Sequence, residues 1–114
     1  MPLFIAALLL TATPIATEDW VVLDDENGST ISLDRASIRT NGTERSFRIR
    51  LVSPEENGVI DAVADCTQGW IEPRHAELMR NGKMANSQDY KPGEERSVPT
   101  DPLAKKMLAT ACGK

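Results

Sequence analysis

The chain has 114 residues, with 13 Lys and Arg against 17 Asp and Glu for a formal net charge of -4, two cysteines and one histidine. This length suffices for one domain with a modest core and not for two. The acidic balance argues against a nucleic-acid binder, which would show a clustered positive excess, and the single histidine excludes a multi-histidine metal cage or a cooperating histidine pair.

Leu3 to Leu10 form a compact apolar run, followed by Thr11 to Ala16 with a helix-breaking Pro14, and then by charge at Glu18 and Asp19. Such a run is far shorter than the roughly 20 apolar residues that span a bilayer, and it matches the apolar and cleavage regions of an export signal. Residues 1–16 are therefore read as a signal peptide cut between Ala16 and Thr17, and residues 17–114 as a single exported domain. A periplasmic, cell-surface or secreted location is expected, without a stable membrane anchor. The signal carries no charged side chain, so the net charge of -4 belongs to the domain. Cys66 and Cys112 are the only cysteines in a chain routed to an oxidising compartment, so they are expected to be bonded to each other.

Asn-Gly pairs occur at Asn27-Gly28, Asn41-Gly42, Asn57-Gly58 and Asn81-Gly82, each flanked by β-forming or alternating residues. Both residues tolerate positive φ, which tight hairpins require, so all four are expected to be turns of an antiparallel meander. The first two also read as glycosylation sequons, for which a hairpin tip is the simpler account. The first hairpin joins Trp20–Asp24 to Thr30–Asp34, and Arg35–Arg39 reads as a short irregular link, one helical turn at most. Phe47, Ile49 and Leu51 alternate with Ser46, Arg48 and Arg50, while Ile60, Ala62, Ala64 and Cys66 alternate with Asp61, Val63 and Asp65. A loop over 53–58 would set Leu51 opposite Ile60, Ile49 opposite Ala62, Phe47 opposite Ala64 and Arg50 opposite Asp61, matching apolar with apolar and charge with charge. Pro73 marks a strand beginning or an edge. Asp89 to Thr100, with Pro92, Gly93 and Pro99, reads as a surface loop. A helix follows, capped by Thr100 or Asp101, with Pro102 in its first turn and Gly113 past its end. Its stripe of Ala104, Leu108, Ala111 and Cys112 should lie on the sheet, with Lys105 and Lys106 outward. The expected fold is α+β, an antiparallel sheet of about five to six strands with a C-terminal helix on one face and one disulfide.

Trp20 opening the domain, the Leu33-Asp34-Arg35-Ala36-Ser37-Ile38 segment, the Gly42 turn, Asp65-Cys66, the Asn81-Gly82 hairpin and a closing helix ending in Cys112 together resemble the surface-adhesin protein E-like domains of Gram-negative bacteria. The resemblance spans nearly the whole exported chain in order. It implies an exported antiparallel sheet with a packed C-terminal helix and an adhesin-like function, with a host matrix or envelope protein as partner.

No catalytic, cofactor-binding or metal-binding motif emerges from the residues. His75 reads as a strand histidine facing solvent. Asp61 and Asp65 are most simply part of a charged sheet face opposite Arg48 and Arg50, and Asp24 to Gly28 lacks the alternating ligands of a calcium loop. Arg45, Arg48 and Arg50 form a candidate partner surface, since arginine is over-represented at protein interfaces. The function expected is a non-enzymatic exported binding module. The alternative is a small periplasmic inhibitor or accessory subunit acting through a protruding Asp89 to Thr100 loop.

Overall fold

A computed structural model describes residues 17–113. The expected signal peptide and its last residue, Ala16, lie outside the described residues. Six strands follow one another, β1 (Trp20–Glu26), β2 (Ser29–Asn41), β3 (Glu44–Val52), β4 (Glu56–Asp65), β5 (Trp70–Arg80) and β6 (Lys83–Asp89), and a helix α1 (Pro102–Cys112) closes the chain. The strands lie in the sheet in chain order, all antiparallel, so the fold is the expected meander with a helix on one face.

Two of the four Asn-Gly pairs make the turns outright, and at the third Asn41 ends β2 opposite Glu44 while Gly42 and Thr43 form the tip. Asn27 and Gly28 have φ of 54° and 80°, and Asn81 and Gly82 have φ of 53° and 77°. Both tips thus place two successive residues in the left-handed region, which matches the twist of the flanking strands. Asn57-Gly58 departs from expectation and lies inside β4. The β3–β4 turn instead falls at Ser53 to Glu56, where Ser53 N donates to Glu56 O at 2.9 Å and Ser53 Oγ bonds the same carbonyl at 3.0 Å. This earlier turn shifts the expected register by one full pleat. Leu51 faces Gly58, Ile49 faces Ile60, Phe47 faces Ala62, and Arg48 rather than Arg50 faces Asp61. A slip of two leaves every side chain on its expected face, so the apolar pattern is satisfied in either register.

The expected link over Arg35–Arg39 is also strand. β2 runs through it, but between the pairs Asp34/Arg48 and Arg39/Ser46 it carries Arg35, Ala36, Ser37 and Ile38 against Phe47 alone. Local polar groups hold this wide bulge. Asp34 Oδ1 accepts from Ala36 N at 3.0 Å, Ser37 Oγ donates to Asp34 O at 2.6 Å, and Arg48 N donates to Ser37 Oγ at 2.9 Å, replacing a ladder bond that the bulge removes. A second bulge lies in β5, where Arg74 is inserted between the pairs Asp61/His75 and Ala62/Pro73. Pro73 is tolerated there because β6 pairs only with His75 onward, leaving that stretch of β5 at the sheet edge.

The core lies between sheet and helix and contains Leu23, Leu33, Phe47, Ile49, Ala62, Ala64 and Ala111. Full burial of a side chain such as Leu33 or Phe47 contributes about 1.5–3 kcal/mol. Asp101 caps α1 by accepting from Ala104 N at 3.0 Å, and Gly113 ends it at a φ of 73°. Leu103, Met107 and Leu108 pack beside Ala111 on the sheet. The helix touches β1, β2, β3 and β4. Cys112 is bonded to Cys66 just past β4, with a Cα–Cα distance of 5.7 Å, which ties the helix end to the sheet. Lys106 reaches back to donate to Leu23 O at 3.2 Å, a carbonyl in the small bulge of β1 between Val22 and Asp24.

Candidate functional site

Alternation along the strands gives the sheet two unlike faces. The helix covers the one bearing Leu33, Phe47 and Ile49. The opposite face is open, and pairing places on it Trp20, Val22, Ser32, Asp34, Arg48 and Arg50, with Val52, Val59, Asp61 and Val63 continuing across β3 and β4. Val22 and Val52 are 51% and 40% exposed, more than a core-facing valine would be.

Arg48 and Arg50 are therefore neighbours on the open face, as expected. Arg45 is not. It pairs with Ala64, which is fully buried, and it stands two residues from Phe47, so it belongs to the helix side. Its Nη1 donates to Gly42 O and Glu44 O, each at 3.0 Å, which bends it back on its own turn. Arg48 Nε lies 3.0 Å from Asp61 Oδ1 with both side chains about half exposed. Arg50 stacks on Trp20, its guanidinium carbon 4.0 Å from the ring centroid. Neither Arg50 Nε nor Trp20 Nε1 makes a hydrogen bond, although both atoms are buried.

The two bulges shape this face into a groove. The swollen part of β2 rises on one side and Arg74 on the other, with β3 and β4 between them. The groove, of about 470 Å³, is lined by Ser37, Arg39, Ser46, Arg48, Asp61 and Arg74, with Val63 in its floor. Three guanidinium groups and one carboxylate thus line a single depression. Arg39 spends Nη1 on Ala36 O and Ile38 O, at 2.9 and 3.0 Å, and Arg48 spends Nε on Asp61. The Arg74 side chain makes no hydrogen bond, and its Nε forms only a longer ion pair with Glu72 Oε2 at 3.6 Å. A guanidinium carries five N–H donors, so most of those in the groove are uncommitted within the protein.

Next to the groove the open face is closed by a strap. Glu72 is 1% exposed. Its Oε2 accepts from Gly93 N at 2.6 Å, and its Oε1 accepts from Arg96 Nε and Nη2 at 3.0 and 2.6 Å. Arg96 lies over the Trp70 ring at 3.6 Å, and Ile71 bridges Ser97 by paired backbone bonds. Burial pushes the Glu72 carboxyl up, but the Gly93 and Arg96 hydrogen bonds and the charges of Arg74 and Arg96 outweigh it, so the group is held below the ordinary carboxylate range. The expected surface loop between Asp89 and Thr100 is thus bound down along β5 by a buried ion pair.

Two further titratable groups sit at the ends of this face. Asp65 accepts from Gln68 N at 2.8 Å, Thr67 N at 2.9 Å and Thr43 Oγ1 at 3.0 Å, and the Gln68 bond above all lowers its pKa. His75 faces Glu77 through Nε2 at 2.9 Å and Asp89 through Nδ1 at 2.6 Å, and these two carboxylates raise its pKa. The expected solvent-facing histidine is half-buried and clamped between acids on β5 and β6. Among the described residues, no group of three or more His, Cys, Asp or Glu side chains is placed to hold a metal ion.

Reading along the sequence missed Glu72, Arg96, Arg39, Arg74 and Trp20 as parts of this face. Pro73 was a usable signal for the β5 bulge, since proline within a sheet is confined to edges and bulges. Comparison with protein-family models, with curated proteins and with solved structures finds no match to this chain.

Proposed function

We propose that the protein is an exported, non-enzymatic binding module of the adhesin-like type, which contacts a protein partner through the open face of its sheet. The observation that carries this reading is the asymmetry of the sheet, whose one face is covered by α1 over β1 to β4 while the other presents Arg48, the Trp20–Arg50 stack and exposed Val22 and Val52. Tryptophan and arginine are the residues most often found as energetic anchors of protein interfaces. The disulfide fits an oxidising, exported setting, and among the described residues no helix is long and apolar enough to cross a membrane. The inhibitor reading has less support, because it needs a protruding loop and the 90–99 segment is bound down by Glu72 and Ile71.

The test is capture of proteins from envelope and host extracts by the oxidised domain, compared with an Arg48→Glu/Arg50→Glu variant and with Lys105→Glu on the exposed side of α1. Loss of the captured species with the first variant and retention with the second is expected. Capture that is the same with all three removes the open face from consideration.

A further inference from the structure

We infer that the groove between the β2 and β5 bulges is a receptor for carboxylate side chains, so that the partner presents an acidic segment to it. This deepens the binding-module reading and rests on it. Arg39, Arg48 and Arg74 stand against Asp61 alone in the lining, a local positive excess in a chain whose net charge is -4. The neighbouring buried carboxylate, Glu72, is hydrogen-bonded by Arg96 at 2.6 Å and meets Arg74 only through the 3.6 Å ion pair, so the two cations outnumber it. Arg74 is the clearest indication of a ligand role. It is the inserted residue of a bulge, a device that re-aims a side chain, and its buried Nε makes no hydrogen bond. Ser37 and Ser46 add hydroxyls to the lining. Planar guanidinium groups match carboxylates in two-point hydrogen bonds, and the groove holds three of them.

A nucleic acid fits less well. The charge is confined to one depression, and the same face carries Glu77 and Asp89 beside it, paired with Val59 and His75. Asp61 acts within this arrangement as an internal competitor, since its carboxylate occupies Arg48 as an incoming one would.

The experiment measures binding of hexaglutamate, hexaglutamine and inorganic phosphate to the oxidised, exported protein at low ionic strength. Hexaglutamate is expected to bind, with an affinity that falls as salt is added, while hexaglutamine and phosphate do not bind in the same range. Arg39→Gln/Arg74→Gln should weaken hexaglutamate about tenfold or more. Asp61→Asn should strengthen it several-fold, a gain that loss of folding cannot produce. This second variant decides the matter if the arginine variant does not fold, because Asp61 contributes only an exposed ion pair. Equal binding of the two peptides, binding of phosphate as tight as that of hexaglutamate, or no gain in Asp61→Asn would overturn the inference. Partner capture that is lost in Arg48→Glu/Arg50→Glu while hexaglutamate fails to bind would sink the acidic-ligand inference and leave the open-face reading standing.

Discussion

Arg96 holds Glu72 in two ways at once, donating to Oε1 from both Nε and Nη2 while its guanidinium lies 3.6 Å above the Trp70 ring. The carboxylate is fully buried and the arginine side chain is 39% exposed. A buried charge is tolerated only when its partners are in place, so the ion pair, rather than any apolar packing of the 90–99 segment, fixes how the chain passes from β6 to α1.

Arg96→Ala should therefore destabilise the fold by about 3 kcal/mol, the lower end of the range for breaking a buried pair, since solvent reaches part of the guanidinium. Glu72→Gln/Arg96→Met should cost less than Arg96→Ala, because no unpaired charge stays behind. Urea unfolding monitored by tryptophan fluorescence checks both, and an Arg96→Ala variant as stable as wild type would contradict the strap.

Reduction of the Cys66–Cys112 bond should cost about 4 kcal/mol on the loop-entropy account, given a separation of 46 residues. The Cys66→Ala/Cys112→Ala variant should unfold at markedly lower urea than the oxidised protein. A midpoint unchanged by removal of the bond would mean that packing alone docks the helix on the sheet.

The pH dependence has two limbs of opposite sign. Glu72 and Asp65 have pKa values lowered by folding, so their contribution is present above the ordinary carboxylate pKa and is lost as pH falls through the lowered folded values. His75 has a pKa raised by Glu77 and Asp89, so its contribution is full below the unfolded value of about 6.5 and is lost as pH rises through the raised folded value. Stability measured from pH 3 to 9 should decline at both ends, and His75→Gln should remove the decline on the alkaline side only. An NMR titration of the His75 ring that gives a pKa below about 6.5 would contradict the clamp.

The pair between Arg48 and Asp61 is a matter of register more than of stability. Both groups are about half exposed, and a double-mutant cycle should give a coupling of about 0.2–1 kcal/mol. A cycle on Arg50 and Asp61 should give none, because Arg50 faces Val59.

The two faces of the sheet and the capped helix were legible because each depends on local pattern, and the disulfide because Cys66 and Cys112 are the only cysteines and so have one possible pairing. Alternation from Phe47 to Leu51 and the spacing of Asp101, Pro102 and Gly113 need no knowledge of distant residues. The same alternation, counted back two residues from Phe47, places Arg45 on the helix side, apart from Arg48 and Arg50. The β3–β4 register was not legible in this way. A shift of two preserves both faces, and Asn57-Gly58 competed as a turn with Ser53-Pro54, whose hydroxyl and backbone closed the loop earlier. The groove was hidden for a different reason. It depends on two bulges, and the partners of Glu72 lie at Gly93 and Arg96, across a hairpin and on a segment without periodicity.

The most direct test of the open face as the binding surface is NMR chemical-shift mapping of the oxidised domain titrated with hexaglutamate. Shifts are expected to concentrate at Ser37, Arg39, Ser46, Arg48, Asp61 and Arg74, with α1 unmoved. Shifts centred on α1 or on the Lys83–Asp89 strand, or none at all, would contradict it.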